Sequence, residues 1–273
     1  MPDANRNSSE PAIVTRALTR RFGELVAVAE VSLTVSHGEI FGLIGSNGAG
    51  KSTLIKVLTT LLPPSSGEAR VAGYDIRKEA AEVRRNIGYV QQLLSADGAL
   101  TGYENLLLSA RLYAIPRSLR AARIAEALEM MKLADAAHRL VHHYSGGMIR
   151  RLEIAQSMLH HPRVLMMDEP TVGLDPLARR AVRDHVRQLR DDLGMTMFIT
   201  THDMAEADDL CDRIALMHQG RIAAVGSPPD LKAEVGPDAT LDDVFAHFIG
   251  IEIEPGGGYR EARKARRSAR ERR

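Results

Sequence analysis

The stretch Gly45-Ser46-Asn47-Gly48-Ala49-Gly50-Lys51-Ser52-Thr53 stands between two apolar segments of different period. Before it, Ile40, Phe41, Leu43 and Ile44 form a short run that reads as a buried strand. After it, Leu54, Ile55, Val57, Leu58 and Leu61 recur at helical spacing. Strand, glycine-rich loop and helix, in that order, are the context a phosphate-binding loop requires. Its glycines let the backbone wrap so that successive amides point inward at phosphate oxygens. The helix N-terminus adds partial positive charge at the same spot. Lys51 can reach the β- and γ-phosphates, and the Ser52 hydroxyl suits a Mg²⁺ ligand. The stretch therefore predicts a bound nucleoside triphosphate, cradled by residues 45–53.

Around that loop the chain is an ordinary globular sequence of 273 residues, 44% hydrophobic and 26% charged. One large domain or two closely packed lobes are expected. A formal net charge of +1 supplies no global basic field, so no nucleic acid partner is expected. The single Cys211 excludes an internal disulfide framework and fits a reducing compartment. No apolar run approaches the ~20 residues that span a bilayer, and the N-terminus lacks a signal-peptide pattern. The expected location is the cytoplasm, with any membrane reached through a partner.

Residues 1–11 are polar and are expected to form a disordered tail. Residues 12–37 alternate apolar and polar positions, which suggests a small sheet. Phe22, just before an expected turn at Gly23, is either a half-buried strand aromatic or a platform for a nucleobase. A turn at residues 63–67 leads to a strand over 69–72, a helix over 75–85 and a strand over 87–90 that ends at Gln91-Gln92. From Leu100 to about Leu140 the pattern turns helical without strands, with Ile124, Leu128 and Met131 on one face and Pro116 or Ser118 at a helix start. Tyr144-Ser145-Gly146-Gly147-Met148 breaks this run before Ile149, Leu152, Ile154, Ala155 and Met158 resume it. A Ser-Gly-Gly at a helix start is either a plain turn or an anion-binding geometry. The whole segment, about residues 93–158, is expected to be a helical insert in a nucleotide-binding sheet.

Val164-Leu165-Met166-Met167-Asp168-Glu169 is an apolar strand ending in two carboxylates. A strand buried in a parallel sheet delivers its C-terminal end to the ligand crevice. There Asp168 can hold Mg²⁺ and Glu169 can polarise the attacking water as a general base, although an acidic helix cap would carry the same pair. A loop carrying Asp175 precedes an amphipathic helix over 178–193 with Gly194 as its stop. The next strand, 195–199, ends at Thr200-Thr201-His202, which makes His202 a candidate γ-phosphate contact. Strands over 213–217 and 221–225 flank a turn at Gly220, and a small C-terminal element contains Leu241 to Phe245. The histidine pairs 142–143 and 160–161 lack metal-ligand spacing with any Cys and read as surface residues. After a glycine linker at 256–258, eight Arg/Lys within residues 260–273 form either a solvated end or a patch for anionic lipid headgroups.

Taken together, these residues resemble an ATPase of the ATP-binding-cassette (ABC) type over roughly residues 12–250. Gly45 to Ser52 is similar to Walker A, Phe22 to the adenine-stacking aromatic and Gln92 to the Q-loop glutamine. Ser145-Gly146-Gly147 is similar to the signature, Val164 to Glu169 to Walker B, Asp175 to the D-loop and His202 to the switch histidine. The resemblance implies an α/β fold: a P-loop NTPase, RecA-like core with an antiparallel β subdomain and an inserted α-helical subdomain. It also implies ATP and Mg²⁺ as cofactors, with Ser52, Gln92 and Asp168 toward the metal. Two copies would stack head to tail, so that Ser145 and Gly147 meet an ATP bound by the partner copy. Residues 100–106, 144–148 and 240–245 resemble the daunorubicin-resistance exporter subfamily, which pairs with a separate polytopic ABC-2 type membrane permease. Tyr103, where an arginine is common, and Met148, in place of the signature glutamine, depart from the general pattern and spare the phosphate ligands. The segment after Gln92 would face the permease, on the inner face of the cell membrane. An importer ATPase uses the same engine. Soluble members acting on ribosomes usually carry two cassettes and those acting on DNA a long coiled coil within the cassette, and this sequence shows neither pattern.

Overall fold

The computed structural model describes residues 10–250. Most of the expected polar tail and all of the basic tail with its glycine linker therefore lie outside the described residues. The described chain opens with two antiparallel strands, β1 (Ile13–Phe22) and β2 (Leu25–Val35), followed by β3 (Ile40–Ile44) and α1 (Lys51–Leu58). Next come β4 (Ser66–Val71), β5 (Tyr74–Asp75), α2 (Ala80–Asn86) and β6 (Ile87–Val90). Strands β2-β1-β4-β5, in that spatial order, make an antiparallel sheet, as the alternating pattern predicts. The helix expected over 75–85 begins only at Ala80. Its first residues are diverted because the Asp75 carboxylate accepts from the Arg77 and Lys78 amides, an Asx-type turn that competes with helix. These bonds, with the Lys78 amide first, hold the Asp75 carboxyl below its ordinary pKa.

Between β6 and the next strand lie α3 (Gly102–Leu112), α4 (Arg117–Met130) and α5 (Gly146–Met158). Thr101 and Glu104 close a reciprocal capping box on α3, Pro116 occupies the cap position of α4, and Ser145 caps α5 by accepting from the Met148 amide. The rest alternates: β7 (Val164–Asp168), α6 (Pro176–Leu193), β8 (Thr196–Thr201), α7 (Met204–Leu210), β9 (Arg213–His218) and β10 (Arg221–Gly226). Helices α8 (Pro228–Val235) and α9 (Leu241–Ile249) complete the described residues. Gly194 ends α6 in the left-handed conformation at φ 61°, where a side chain would be strained. His160 is a correction to the surface reading. Its ring stacks on Tyr113 at 4.0 Å and bonds the Ile87 carbonyl at 2.9 Å, and burial lowers its pKa.

The second sheet has the order β10-β9-β3-β8-β7-β6 and is parallel except at β10. Strands β3, β7 and β8 are buried along their whole length, because both faces of the sheet are covered. Period two then sorts their side chains into two cores. Ile40, Ile44, Leu165, Met167, Met197, Ile199, Ile214 and Leu216 face one core, shared with α3 to α6. Phe41, Leu43, Met166, Phe198, Ala215 and Met217 face the other, shared with α1 and the antiparallel sheet. Helix α1 fills the space between the two sheets, with Leu54, Ile55, Val57 and Leu58 all buried. Phe41 and Phe198 stack beneath it at 5.8 Å. Replacing Phe198 by Ala should cost about 3–5 kcal/mol in a denaturant titration. Leu25→Ala, at an exposed strand end, should stay within about 0.5 kcal/mol; equal losses would contradict this division of core and surface.

Candidate active site

Strand register brings the sequence motifs to one edge. Ile44 lies opposite Thr201, Thr200 opposite Asp168, and Met167 opposite Val90. The loops after β3, β8, β7 and β6 therefore emerge side by side, at the carboxyl ends of parallel strands where open α/β sheets take their ligands. They carry Gly45 to Lys51, His202, Glu169 and Gln92 respectively.

The phosphate loop is gripped from both sheets. A Cβ on Gly45 would stand 2.2 Å from the Met217 carbonyl on β9, and one on Gly50 2.2 Å from the Ala27 carbonyl on β2. Gly50 also adopts φ 107°, so only glycine fits there without strain. Ser46, Asn47 and Gly48 form the exposed outer arc of the loop, while Ala49 is buried. Ser52 and Thr53 lie in the first turn of α1 and are partly exposed. Lys51 turns back beneath the loop: its Nζ donates to the Gly45 carbonyl at 2.8 Å and the Ser46 carbonyl at 3.2 Å.

Glu169 is the hub. Its Oε1 lies 3.2 Å from Lys51 Nζ, and its Oε2 lies 3.1 Å from His202 Nδ1 and 3.4 Å from Gln92 Nε2. The Glu169 backbone has φ 47°, a conformation rare for a residue with a Cβ. Two bonds hold it there, from its amide to the Thr200 carbonyl at 3.1 Å and to the Thr200 hydroxyl at 3.0 Å. The same Thr200 hydroxyl donates to Asp168 at 2.5 Å, and Asp168 also accepts from Ser52 at 3.1 Å. Burial, joined by the negative charge of Asp168, pushes the nearby Tyr89 hydroxyl up to about 12.

Thr200 is a site residue that the sequence reading treats only as a strand end. Its signal is a polar residue that is completely buried beside two carboxylates, which becomes visible only once β8 lies between β3 and β7. Glu206 of α7 is a second buried polar residue, accepting from the Thr171 hydroxyl at 2.7 Å and the Thr201 hydroxyl at 2.6 Å and so tying the loop after β7 to the end of β8.

Other predicted residues lie apart from this hub. Phe22 is 43% exposed at the end of β1, with the Arg20 guanidinium 4.5 Å from its ring centroid, a half-buried strand aromatic whose ring remains accessible. Asp175 caps α6 through the Leu177 and Ala178 amides. Ser145, Gly146 and Gly147 begin α5, and no hydrogen bond joins them to the phosphate loop among the described residues. Gly147 has a packing role as well: a Cβ there would stand 2.8 Å from that of Ala178 on α6.

Residues 28–172 match the protein family described as ABC transporter. The chain belongs to that family. The ABC assignment also accounts for a glycine loop, a strand-end carboxylate pair and a histidine brought to one edge. Daunorubicin resistance ATP-binding protein DrrA3 of Streptomyces coeruleorubidus is 43% identical, over 84% of this chain and 72% of that protein. Linearmycin resistance ATP-binding protein LnrL of Bacillus subtilis is 39% identical, over 89% and 85%. Among solved structures, a dimeric post-hydrolysis state of the ATP-binding cassette MJ0796 bound to ADP and Pi superposes with a TM-score of 0.69 at 26% identity, over 79% of this chain and 98% of that one. This ABC protein is accordingly an ATP-binding and ATP-hydrolysing transporter subunit of α/β, P-loop NTPase fold. ATPases of its family dimerise and work with membrane permease subunits. No helix among its described residues is long and apolar enough to cross a membrane.

Lys51→Ala should lose ATP affinity, since it leaves phosphate charge unpaired in the loop; undiminished binding in a nucleotide titration would sink that role. Thr200→Val keeps the strand and removes the hydroxyl that holds Glu169 and Asp168. It should lower kcat about 10- to 100-fold through misplacement while ATP affinity is retained.

Proposed function

We propose that this chain is the ATP-hydrolysing subunit of an ABC-2 type export system, closing on ATP as a head-to-tail homodimer and driving export through a separate membrane permease. The observation that carries the reading is the division of the motifs. Lys51, Asp168, Glu169, His202 and Gln92 converge within one copy, while Ser145-Gly146-Gly147 caps a helix elsewhere on the same copy. A helix N-terminus with free amides suits a phosphate supplied from outside, here the ATP of the partner copy. The relatives named for daunorubicin and linearmycin resistance support a drug-like cargo, whose selection would fall to the permease.

The chemistry follows from the geometry. Residues 45–53 cradle the phosphates with backbone amides, and Phe22 offers its exposed ring to the adenine. Lys51 is paired with Glu169 and reaches the loop carbonyls, so phosphate oxygens compete with Glu169 for it and leave that carboxylate available as general base. His202 and Gln92 hold the other carboxylate oxygen and can orient the attacking water and the γ-phosphate. Asp175, at the cap of α6, would face the partner copy with the signature. Mg²⁺ fits the donor set: Ser52 and Asp168 offer hard oxygens 3.1 Å apart and Gln92 an amide oxygen, and this ion commonly takes few protein ligands beside phosphates. Bound there, it would neutralise charge on the transferring phosphoryl group.

The permease would dock beside Gln92. Leu93 is 78% exposed and Leu94 beside it is exposed, as are Leu108 and Leu112 on α3. That contact would hold the protein at the inner face of the cell membrane, and the basic residues 260–273 would add about 1 kcal/mol each near anionic headgroups.

Glu169→Gln should nearly abolish turnover and trap an ATP-bound dimer. Wild-type hydrolysis by that variant would remove Glu169 as the base. Pull-down of the tagged protein from gently solubilised native membranes should recover a stoichiometric polytopic subunit; recovery with ribosomes or nucleic acid instead would overturn the export reading.

A further inference from the structure

Two charged side chains of α5 are buried on a face that the hydrolytic centre does not use. Arg150 is 1% exposed and Glu153 5%, and they pair at 2.9 Å. Both reach across to the segment that follows β6. Arg150 Nη1 donates to the Gln91 carbonyl at 2.7 Å, and its Nη2 donates to the Gln92 carbonyl at 2.7 Å. Glu153 accepts from the Ser95 amide and from the Ser95 hydroxyl. Residues 91–95 belong to no strand or helix and are exposed, so these bonds to α5 tie down a stretch whose other contact is the long one from Gln92 to Glu169.

The chemistry of the pair argues for position rather than for packing. Burying two charges carries a desolvation penalty that apolar residues of similar volume would avoid, so such a pair is weak evidence for stability. A planar guanidinium fork, however, can hold two adjacent carbonyls in one orientation, which a single ammonium cannot. Arg150 stands five residues from Ser145 on the same helix, about 7.5 Å along its axis. Helix α5 thus links its own N-terminus rigidly to the backbone of Gln92. The Gln92 side chain meets Glu169 at 3.4 Å, a long contact that a small shift of the segment can tighten or break.

We propose that Arg150 and Glu153 are positioning residues that transmit engagement of Ser145-Gly146-Gly147 to Gln92, so that docking of the partner copy's ATP on α5 adjusts the hydrolytic centre of the copy that carries α5. The proposal rests on the head-to-tail reading above. Neither residue touches ATP. Their effect runs through the Gln91 and Gln92 carbonyls and through Ser95.

The test uses the full chain in the Glu169→Gln background, where ATP should trap the dimer. Light scattering reports dimerisation, and amide hydrogen exchange reports residues 91–96 with and without ATP. In the parent, exchange in that segment should change when ATP closes the dimer. In Arg150→Met/Glu153→Leu, which removes both charges together, the dimer should still form, but exchange over 91–96 should be about tenfold faster and unresponsive to ATP. In the chain that retains Glu169, the same double substitution should lower kcat about tenfold or more with an unchanged KM for ATP. Arg150→Lys keeps the charge opposite Glu153 and loses the fork, so it should move both readouts in the same direction and by less. It decides the matter if the double variant fails to fold. A parent that never dimerises on ATP overturns the head-to-tail reading and the inference with it. A parent that dimerises, beside folded variants whose segment still responds to ATP or whose kcat is that of wild type, overturns the inference alone.

Discussion

Lys51 and Glu169 stand 3.2 Å apart with almost no contact with water, and the rest of the site is arranged around that ion pair. Breaking a buried pair by removing one partner leaves an uncompensated charge, at a cost of about 3–5 kcal/mol. Here each partner has further support. Lys51 rests on the Gly45 and Ser46 carbonyls, and Glu169 on His202 and Gln92. Anionic phosphate is the natural competitor for Lys51, so one lysine can serve the carboxylate and the nucleotide in turn. The left-handed backbone of Glu169 stores about 1–3 kcal/mol of strain, which the two bonds to Thr200 offset.

The pair exists because of strand order. Strands β3 and β7, which lead into Lys51 and Glu169, are separated in the sheet by β8, whose Thr200 bridges Asp168 and the Glu169 amide. The same alternation that puts Phe41, Met166 and Phe198 under α1 puts Ile40, Met167 and Ile199 against the helical segment. The phosphate loop is thus held by one core and the signature helix by the other. Close approach of Gly45 to Met217 and of Gly50 to Ala27 ties the loop to both sheets, which leaves little room for it to drift.

Helix α5 belongs to the second core and carries two different tasks, one at its N-terminus and one a turn further along. Its first residues are capped by Ser145 and packed against α6 through Gly147. One turn further on, Arg150 and Glu153 anchor the stretch after β6. In the head-to-tail dimer proposed above, a rigid helix between these two contacts would be a short path from one nucleotide to the other.

Much of this was written locally. A glycine loop between a strand and a helix, an apolar strand ending in Asp168-Glu169 and a histidine after a strand end each depend on about ten consecutive residues. Their periods and turn chemistry state the element type and the chemistry without reference to the rest of the chain. Local rules also misled in places. A helix-like pattern at Asp75 yielded to an Asx turn, and His160 was drawn under Tyr113. The sequence by itself determined that a phosphate loop, two carboxylates and a histidine occur in this order, and through them the family resemblance. Only the tertiary structure decided that Thr200 sits between the carboxylates and that Arg150 and Glu153 reach residues 91–95, because strand order and buried polar partners are set by packing between segments distant in the chain.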